Sequence, residues 1–411
     1  MTTQRPPDLP SRLHSLDALR GLAALSVVFW HWQHFFYRDG VVAPFDHAAQ
    51  PLYGLLFIFY ESGWIAVDLF FTLSGFVFFW LYASAVRDRR VGARDFFVLR
   101  FSRLYPLHLA TLLLVLGGLT VFHISRIRAF TYPDNDVRHF VLNLFLASNW
   151  GFERGLSFNA PVWSISIEVL LYALFFVLCR WVDRTLAVML VLILVGLNLT
   201  CFTSYWLQGR GVFSFFLGGL SFFAYRRLAR SAAAGAATAL LAGLAGAGWL
   251  WVVIAYIRHP GFLPPFELPV SYEQVRALGA RALANDLGRL VVTGLVFPLT
   301  LIALALLETR YRGLGRRLSP LGDISYSSYL LHFPVQMLFY GVAVAIGVEA
   351  TFFRTDAALL LFMATLLALS FASHRWLERP AQRALRERFL VRGSRSQAPA
   401  RATAERRGTK G

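Results

Sequence analysis

The chain has 411 residues, of which 57% are hydrophobic and 15% are charged, and its formal net charge is +17. Soluble domains carry about 25% charged residues, so this composition excludes an ordinary soluble domain. The 2 cysteines are too few for a disulfide framework or a cysteine-based metal site. Since the arginines cluster at the ends of apolar segments, the positive charge indicates membrane orientation rather than nucleic-acid binding.

Apolar windows near 20 residues long recur from end to end, and they predict an all-α, polytopic membrane protein. We expect a bundle of about ten transmembrane helices with both termini inside (N-in/C-in), because the inner loops then hold 15 arginines and the outer loops 11. The predicted spans cover residues 16–37, 64–86, 97–123, 161–181, 185–206, 211–229, 234–257, 288–308, 322–346 and 355–377.

The first predicted span contains Arg20 and His31, eleven positions apart. At ~1.5 Å and ~100° per residue, this spacing is roughly 16 Å and nearly three full turns, so both side chains face the same way. Ionisable groups at bilayer depth are costly and usually functional. The pair therefore predicts an elongated site with a cation at one end and an imidazole deeper in the membrane.

The second and third spans add a carboxylate and a pair of cations. Asp68 lies a few residues into the second span, where it either complements the helix dipole or serves the chemistry, and Ser74 follows on the same helix. Arg100 and Arg103 begin the third span on one helical face. They are either a positive-inside signal or a phosphate clamp, since arginine binds phosphate bidentately.

The fourth and ninth spans carry further polar residues. Glu168 lies in an otherwise apolar helix with no cation in its own turn, and it needs a partner from another span. Trp163 is predicted to be an interfacial anchor at the start of that helix. Tyr329 and His332 share a helical face in the ninth span. A buried histidine is more often a structural hydrogen-bonding group than a catalyst, so His332 is not assigned the chemistry.

Residue counts from the span ends place these groups in two layers. His31, Asp68 and Glu168 fall within one or two turns of the same depth, at ~1.5 Å per residue. The three arginines of the first and third spans fall together near the inner edge. A cationic layer inside and an acid/base layer farther out predict a catalytic site that crosses half of the membrane.

The ends of the chain are predicted to lie outside the bundle. Residues 1–11 are expected to form a cytoplasmic N-terminal tail, residues 12–382 the transmembrane domain, and residues 383–411 a basic, disordered cytoplasmic tail. The last helix is expected to stop at Glu378-Arg379-Pro380.

Five stretches, in order, resemble the bacterial membrane acyltransferase 3 family, which O-acylates sugars and related hydroxyls. They are Arg20 with His31, AVDLFFTLSGF, Arg100 with Arg103, WSISIE and ISYSSYLLH. The resemblance runs from about residue 12 to residue 382 and implies a bundle of about ten spans. The chain resembles the stand-alone branch, without the C-terminal esterase-like domain that many members carry.

The resemblance implies transfer of an acyl group, by preference acetyl, from acyl-CoA on the cytoplasmic side to a hydroxyl of a sugar, polysaccharide or glycosylated small molecule. His31 would act as general base, with Asp68 or Glu168 orienting its ring. The donor phosphates would be bound by Arg20, Arg100 and Arg103. The acceptor site would include Ser74, Asn149, Trp163, Ser166, Tyr329 and His332. Direct transfer is favoured, with an acyl-enzyme on Ser74 or Ser166 as the alternative.

No permanently bound cofactor, metal or nucleic acid is expected, and the predicted location is the bacterial inner membrane. Two alternatives remain open. A proton-coupled transporter or flippase for a glycolipid or small hydrophobe would use the buried His, Asp and Glu as a proton relay. The other membrane-bound O-acyltransferase superfamily also uses a buried histidine, but one deeper along the chain.

Overall fold

Long helices make up nearly all of the computed structural model, which describes residues 10–38, 41–42, 45–127, 131–182, 185–202, 206–258 and 287–390. The predicted all-α membrane fold is confirmed over these residues. One short antiparallel pair of strands interrupts the helices after the first of them, with β1 (Tyr37–Arg38) opposite β2 (Val41–Val42).

The α-helices are numbered α1 to α15 in chain order. The first eight are α1 (His14–Trp30), α2 (Tyr53–Ser62), α3 (Ala66–Leu81), α4 (Ala83–Arg87), α5 (Ala93–Ile124), α6 (Val137–Leu144), α7 (Trp163–Trp181) and α8 (Thr185–Phe202). The others are α9 (Trp206–Ala229), α10 (Ala234–Arg258), α11 (Phe297–Arg310), α12 (Ser319–Asp323), α13 (Ser325–Ala345), α14 (Asp356–Ser373) and α15 (Arg379–Phe389).

Helices occupy all ten of the predicted spans. Among the described residues, 7 helical segments are long and apolar enough to cross a membrane. The count of ten crossings and the N-in/C-in orientation stay predictions. The segment around α3 begins earlier than predicted, because α2 and a short 3-10 turn lead into α3 and form one helical run, Tyr53–Leu81.

The first span differs from its prediction in a way that affects the site. The α-helix ends at Trp30, and His31 begins a 3-10 turn, His31–Phe36, instead of continuing the helix to residue 37. The tighter turn is a common ending for an α-helix. His31 therefore lies at the point where the α-helix changes into the 3-10 turn.

Close approach of α3 and α9 organises the centre of the bundle. A Cβ added to Gly75 would lie 1.8 Å from the Phe215 carbonyl oxygen, and one added to Gly218 would lie 1.8 Å from the Thr72 carbonyl oxygen. Neither position accepts a side chain, so the two backbones touch. Small residues are typical of helix contacts in membranes, because the hydrophobic effect does not drive helices together in lipid and close packing must do so. The α1 helix packs beside this pair, against α3, α12 and α13.

The last span continues beyond its predicted end. A π-helical turn, His374–Glu378, joins α14 to α15, and the helix ends at Phe389. The prediction of a helix stop at Pro380 is wrong, because Pro380 lies in the first turn after the π-helical turn, where its missing N–H is tolerated. Residues 383–389 therefore belong to a helix. The predicted tails at 1–9 and 391–411 lie outside the described residues, and the domain boundaries stay predictions.

Candidate active site

A half-enclosed cavity of about 610 Å³ lies among α1, α3, α5, α7, α13 and α15. Its walls are apolar along α3, where Val67, Phe70 and Val77 line it. Six arginines also line it: Arg12, Arg20, Arg100, Arg103, Arg379 and Arg386. A space lined by several guanidinium groups and by an apolar wall suits a ligand with an anionic head and an uncharged arm.

Arg20 lines the cavity and also joins α1 to α12 and α13. Its Nε donates to Ser325 Oγ at 3.0 Å and to the Gly322 carbonyl at 3.2 Å, and its Nη2 donates to the same carbonyl. Asp17 Oδ1 lies 3.8 Å from Nη2. Arg20 therefore has a structural role in joining these helices, and its role in donor binding stays a prediction.

The Arg100 and Arg103 pair faces the same cavity from α5. The Arg100 guanidinium lies over the rings of Phe78 and Tyr82, 4.8 and 4.4 Å from their centroids, and donates to the Tyr82 hydroxyl. Its Nε is buried without a hydrogen bond to any described residue. Arg103 makes no hydrogen bond or ion pair to the described ranges of the chain. Both groups therefore have donors left for an anionic ligand.

Glu168 lies in the wall of the cavity rather than beside His31. Its Oε1 accepts a hydrogen bond from Ser74 Oγ at 2.7 Å, and both residues line the cavity between the arginines and its far end. The Ser74 hydroxyl, on α3, supplies the partner from another span that this carboxylate was predicted to need.

Asp68 pairs with a cation that the sequence analysis did not single out. Arg210, on α9, contacts Asp68 Oδ2 through Nη2 at 2.6 Å and Oδ1 through Nε at 3.1 Å. The two side chains are 4% and 3% exposed, and the guanidinium also lies over the ring of Trp64 at 4.7 Å. This bidentate pair fastens α3 to α9. No hydrogen bond joins Asp68 or Glu168 to the His31 ring in the described part of the structure.

His31 is instead paired with His332. Their nitrogens, His31 Nδ1 and His332 Nε2, are 3.0 Å apart, and the rings are nearly parallel, at 18°. His332 Nδ1 lies 2.6 Å from the Tyr329 carbonyl oxygen, which only accepts, so Nδ1 carries the proton of neutral His332. His332 Nε2 is then the acceptor, and His31 Nδ1 the donor. This chain of hydrogen bonds leaves His31 Nε2 unprotonated.

A second set of side chains holds the backbone of His31. Gln336 donates from Nε2 to the His31 carbonyl at 2.8 Å, and its Oε1 lies 3.0 Å from His34 Nδ1. His34 Nε2 accepts from the Tyr132 hydroxyl at 3.1 Å. Burial raises the pKa of Tyr132 well above its ordinary value, so this hydroxyl remains a donor. The sequence analysis missed Gln336 and His34, although Gln336 follows His332 by one helical turn and His34 follows His31 by three residues.

The cavity and the histidine pair meet at Tyr329. The Tyr329 ring lines the cavity, and its hydroxyl donates to the Pro161 carbonyl at 2.8 Å and lies 2.8 Å from Ser164 Oγ. The carbonyl of the same residue orients His332. Neither His31 nor His332 lines the cavity, but the His332 ring centroid is 5.9 Å from that of Tyr329 and 4.8 Å from that of His31.

Three of the predicted acceptor residues are used in packing. The Asn149 backbone N–H donates to Ser166 Oγ at 3.0 Å, and the Asn149 carbonyl accepts from Gln208. Trp163 packs against Phe71 and against the Arg210 guanidinium. These contacts fasten the segment before α7 to the bundle. The structure brings Ser74, Tyr329 and His332 to the cavity or to His31, and it does not bring Asn149, Trp163 or Ser166 there.

Comparison with known proteins identifies one family over most of the chain. The family model of acyltransferase 3, described as an acyltransferase domain, matches residues 13–373. Putative membrane-bound transacylase BcsY of Komagataeibacter xylinus is 25% identical over 343 residues, which cover 79% of this chain and 73% of that protein. No solved structure matches the chain.

Two other curated relatives match over shorter stretches. Acyltransferase MdmB of Streptomyces mycarofaciens is 35% identical over 169 residues, which cover 40% of this chain and 38% of that protein. Peptidoglycan O-acetyltransferase OatA of Listeria monocytogenes is 26% identical over 200 residues, which cover 45% of this chain and 27% of that protein. Each match thus spans less than half of the relative concerned.

Proposed function

This chain belongs to the acyltransferase 3 family, and from that premise we propose that it is an integral membrane O-acyltransferase. It moves an acyl group, acetyl by preference, from acyl-CoA to a hydroxyl of a sugar, polysaccharide or glycosylated small molecule, in the bacterial inner membrane. The observation that carries the proposal is the cavity that runs from six arginines to Tyr329, whose carbonyl orients the His332–His31 pair.

The donor enters at the arginine end. Its phosphates bind Arg100 and Arg103, whose guanidinium groups have unused donors and match phosphate geometry. Arg20 adds positive charge from α1. The uncharged pantetheine arm then follows the apolar wall of α3, so that the thioester lies at the Tyr329 end of the cavity.

The reaction proposed at that end uses His31 as the general base. His31 Nε2 takes the proton of the acceptor hydroxyl while the hydroxyl oxygen attacks the thioester carbonyl carbon. The tetrahedral intermediate collapses with cleavage of the C–S bond, and the leaving CoA sulfur takes the proton back from the His31 imidazolium. The products are the acyl ester and free CoA. His332 accepts the His31 Nδ1–H throughout, so it takes the orienting role that a carboxylate has in a catalytic triad.

The two carboxylates have other positions in this proposal. Glu168 holds the Ser74 hydroxyl in the cavity wall, and direct transfer to the acceptor requires no acyl-enzyme on that serine. Asp68 keeps Arg210 in place between α3 and α9. A carbohydrate acceptor is supported by one relative, since OatA is a peptidoglycan O-acetyltransferase.

The experiment uses purified protein in vesicles, radiolabelled acetyl-CoA as donor, and peptidoglycan and neutral polysaccharide as acceptor probes. We expect label in an acceptor with the wild-type chain and at least about a hundredfold less with His31→Ala, since general-base catalysis supplies ~10²–10⁴. His123→Ala is the control, because His123 is exposed at the far end of α5. Wild-type rates with His31→Ala would overturn the assignment. An acceptor that crosses the vesicle chemically unchanged would identify a transporter instead.

A further inference from the structure

The α15 helix, which follows the residues that the family model matches, forms part of the wall of the cavity. The match ends at residue 373, and the helix that carries this position continues through the π-helical turn to the end of α15. The whole run, Asp356–Phe389, has 34 residues. At ~1.5 Å per residue it is about 50 Å long, whereas the hydrocarbon core of a bilayer is ~30 Å thick. The run is thus long enough to project well beyond the membrane at the arginine end of the cavity.

One face of α15 borders the cavity. Arg379, Gln382 and Arg386 line it, and their spacing of three and then four residues is that of one helical face. Arg383 and Arg388 are exposed and do not line the cavity. The helix is therefore amphipathic in an unusual sense, because its inner face is polar and cationic. A helix that only covered the bundle would present apolar residues there.

Contacts with α5 and α13 fix the direction of this face. Arg386 Nε lies 3.3 Å from Ser102 Oγ, next to Arg103 on α5. In the π-helical turn, the Glu378 carboxylate accepts from the Ser327 hydroxyl of α13 at 2.5 Å and from the Ser373 hydroxyl at 3.1 Å. Single π-helical turns change the direction in which the following residues face, and they are frequent at functional sites. Here the π-helical turn directs the first two turns of α15 toward the side of the cavity that Arg103 lines.

We propose that Arg379, Gln382 and Arg386 form a second phosphate-binding face for the nucleotide end of the acyl-CoA donor. This face is on α15 and looks toward Arg103 on α5. This inference rests on the proposed function. Guanidinium groups on both α5 and α15 then hold the donor phosphates from two sides, and Gln382 supplies an uncharged donor between the two arginines of its helix. The recognised chemistry is an organic phosphate, and the test below separates a nucleotide phosphate from the phosphate of an anionic lipid.

The test measures binding of desulfo-CoA, which has no reactive sulfur, to the full-length protein in nanodiscs by calorimetry. We expect Arg386→Gln and Gln382→Ala each to weaken binding, with about a tenfold increase in Kd for Arg386→Gln, since hydrogen bonds to charged groups are the stronger class. Arg386→Lys keeps the charge but not the bidentate geometry and should lie between. The matched control is Arg383→Gln, which removes the same charge from the exposed face and should bind as the wild type does.

The outcomes separate this inference from the function on which it rests. If the wild type binds desulfo-CoA and Arg386→Gln binds equally well, α15 is not part of the donor site, while the donor assignment stands. If the wild type does not bind desulfo-CoA, both fail. Nanodiscs of phosphatidylcholine alone and with added phosphatidylglycerol form the second arm. An Arg386→Gln effect that appears only with phosphatidylglycerol would identify a lipid headgroup site and overturn the proposal.

Discussion

Replacing His332 by alanine removes the group that accepts the His31 Nδ1–H and leaves the cavity arginines untouched. Without that acceptor, the Val27 carbonyl remains as a hydrogen-bond partner of the His31 ring, but the ring loses a nearly parallel neighbour whose centroid is 4.8 Å away and is oriented less strictly. A smaller fraction of molecules then presents an unprotonated Nε2 to the acceptor hydroxyl. We therefore expect kcat to fall while the KM for acyl-CoA stays close to its original value.

The size of the effect has an upper limit. Loss of the orienting group removes at most the whole contribution of general-base catalysis, which is ~10²–10⁴ in rate. Because His31 itself remains and its backbone stays fastened through Gln336, we expect about a hundredfold, equivalent to ~2.7 kcal/mol of transition-state stabilisation. His332→Gln places an amide oxygen near the position of Nε2 and should recover about tenfold of that loss relative to alanine.

The assay is steady-state acetyl transfer by purified, monodisperse protein, with kcat and KM fitted separately. His332 is fully buried, so each rate is normalised to the fraction of protein that remains folded. The proposed role of the histidine pair would be refuted if both His332 variants kept kcat within about threefold of the wild type. It would also fail if alanine and glutamine lowered kcat equally, because a purely structural role does not distinguish an acceptor at that position.

Two further predictions concern stability and donor affinity. Asp68→Asn should lower the free energy of unfolding by ~3–5 kcal/mol, because it leaves Arg210 buried without its carboxylate. The double variant Asp68→Leu with Arg210→Met should restore most of this loss in thermal denaturation. Equal stability of the wild type and Asp68→Asn would contradict the prediction. Arg103→Gln should raise the KM for acyl-CoA about tenfold with kcat nearly unchanged, since this guanidinium makes no hydrogen bond or ion pair among the described residues. An unchanged KM would mean that Arg103 serves only as a positive-inside signal for membrane orientation.

Much of the architecture and one half of the site were predictable from the chain alone. Lipid requires long apolar helices with satisfied backbones, so hydropathy located helices in all ten predicted spans. The same constraint made Arg20, Arg100 and Arg103 conspicuous, and all three line the cavity. His31 was conspicuous for the same reason, and it is the member of the histidine pair that donates its Nδ1–H to the other ring.

Residue counts along a helix determine the depth of a side chain, but they say nothing about which helices are neighbours. Asp68, Glu168 and His31 were placed at a similar depth, and the tertiary structure separates them laterally, with Asp68 on Arg210 and Glu168 on Ser74. The backbone contact between α3 and α9 brings Arg210 to Asp68, and the packing of α1 against α13 brings His332 to His31.

The end of the last helix shows the same limit. A polar, arginine-rich segment after an apolar span is compatible with a disordered tail and with a helix that faces a polar cavity. Only two contacts decide between them, that of α15 with α5 and that of the preceding π-helical turn with α13, and their partners are almost three hundred and about fifty positions away in the chain. The apolar helices and the costly charges within them could be located from the chain alone, because lipid acts on each segment separately. The partners of those charges depend on the packing between segments, and only the folded arrangement shows them.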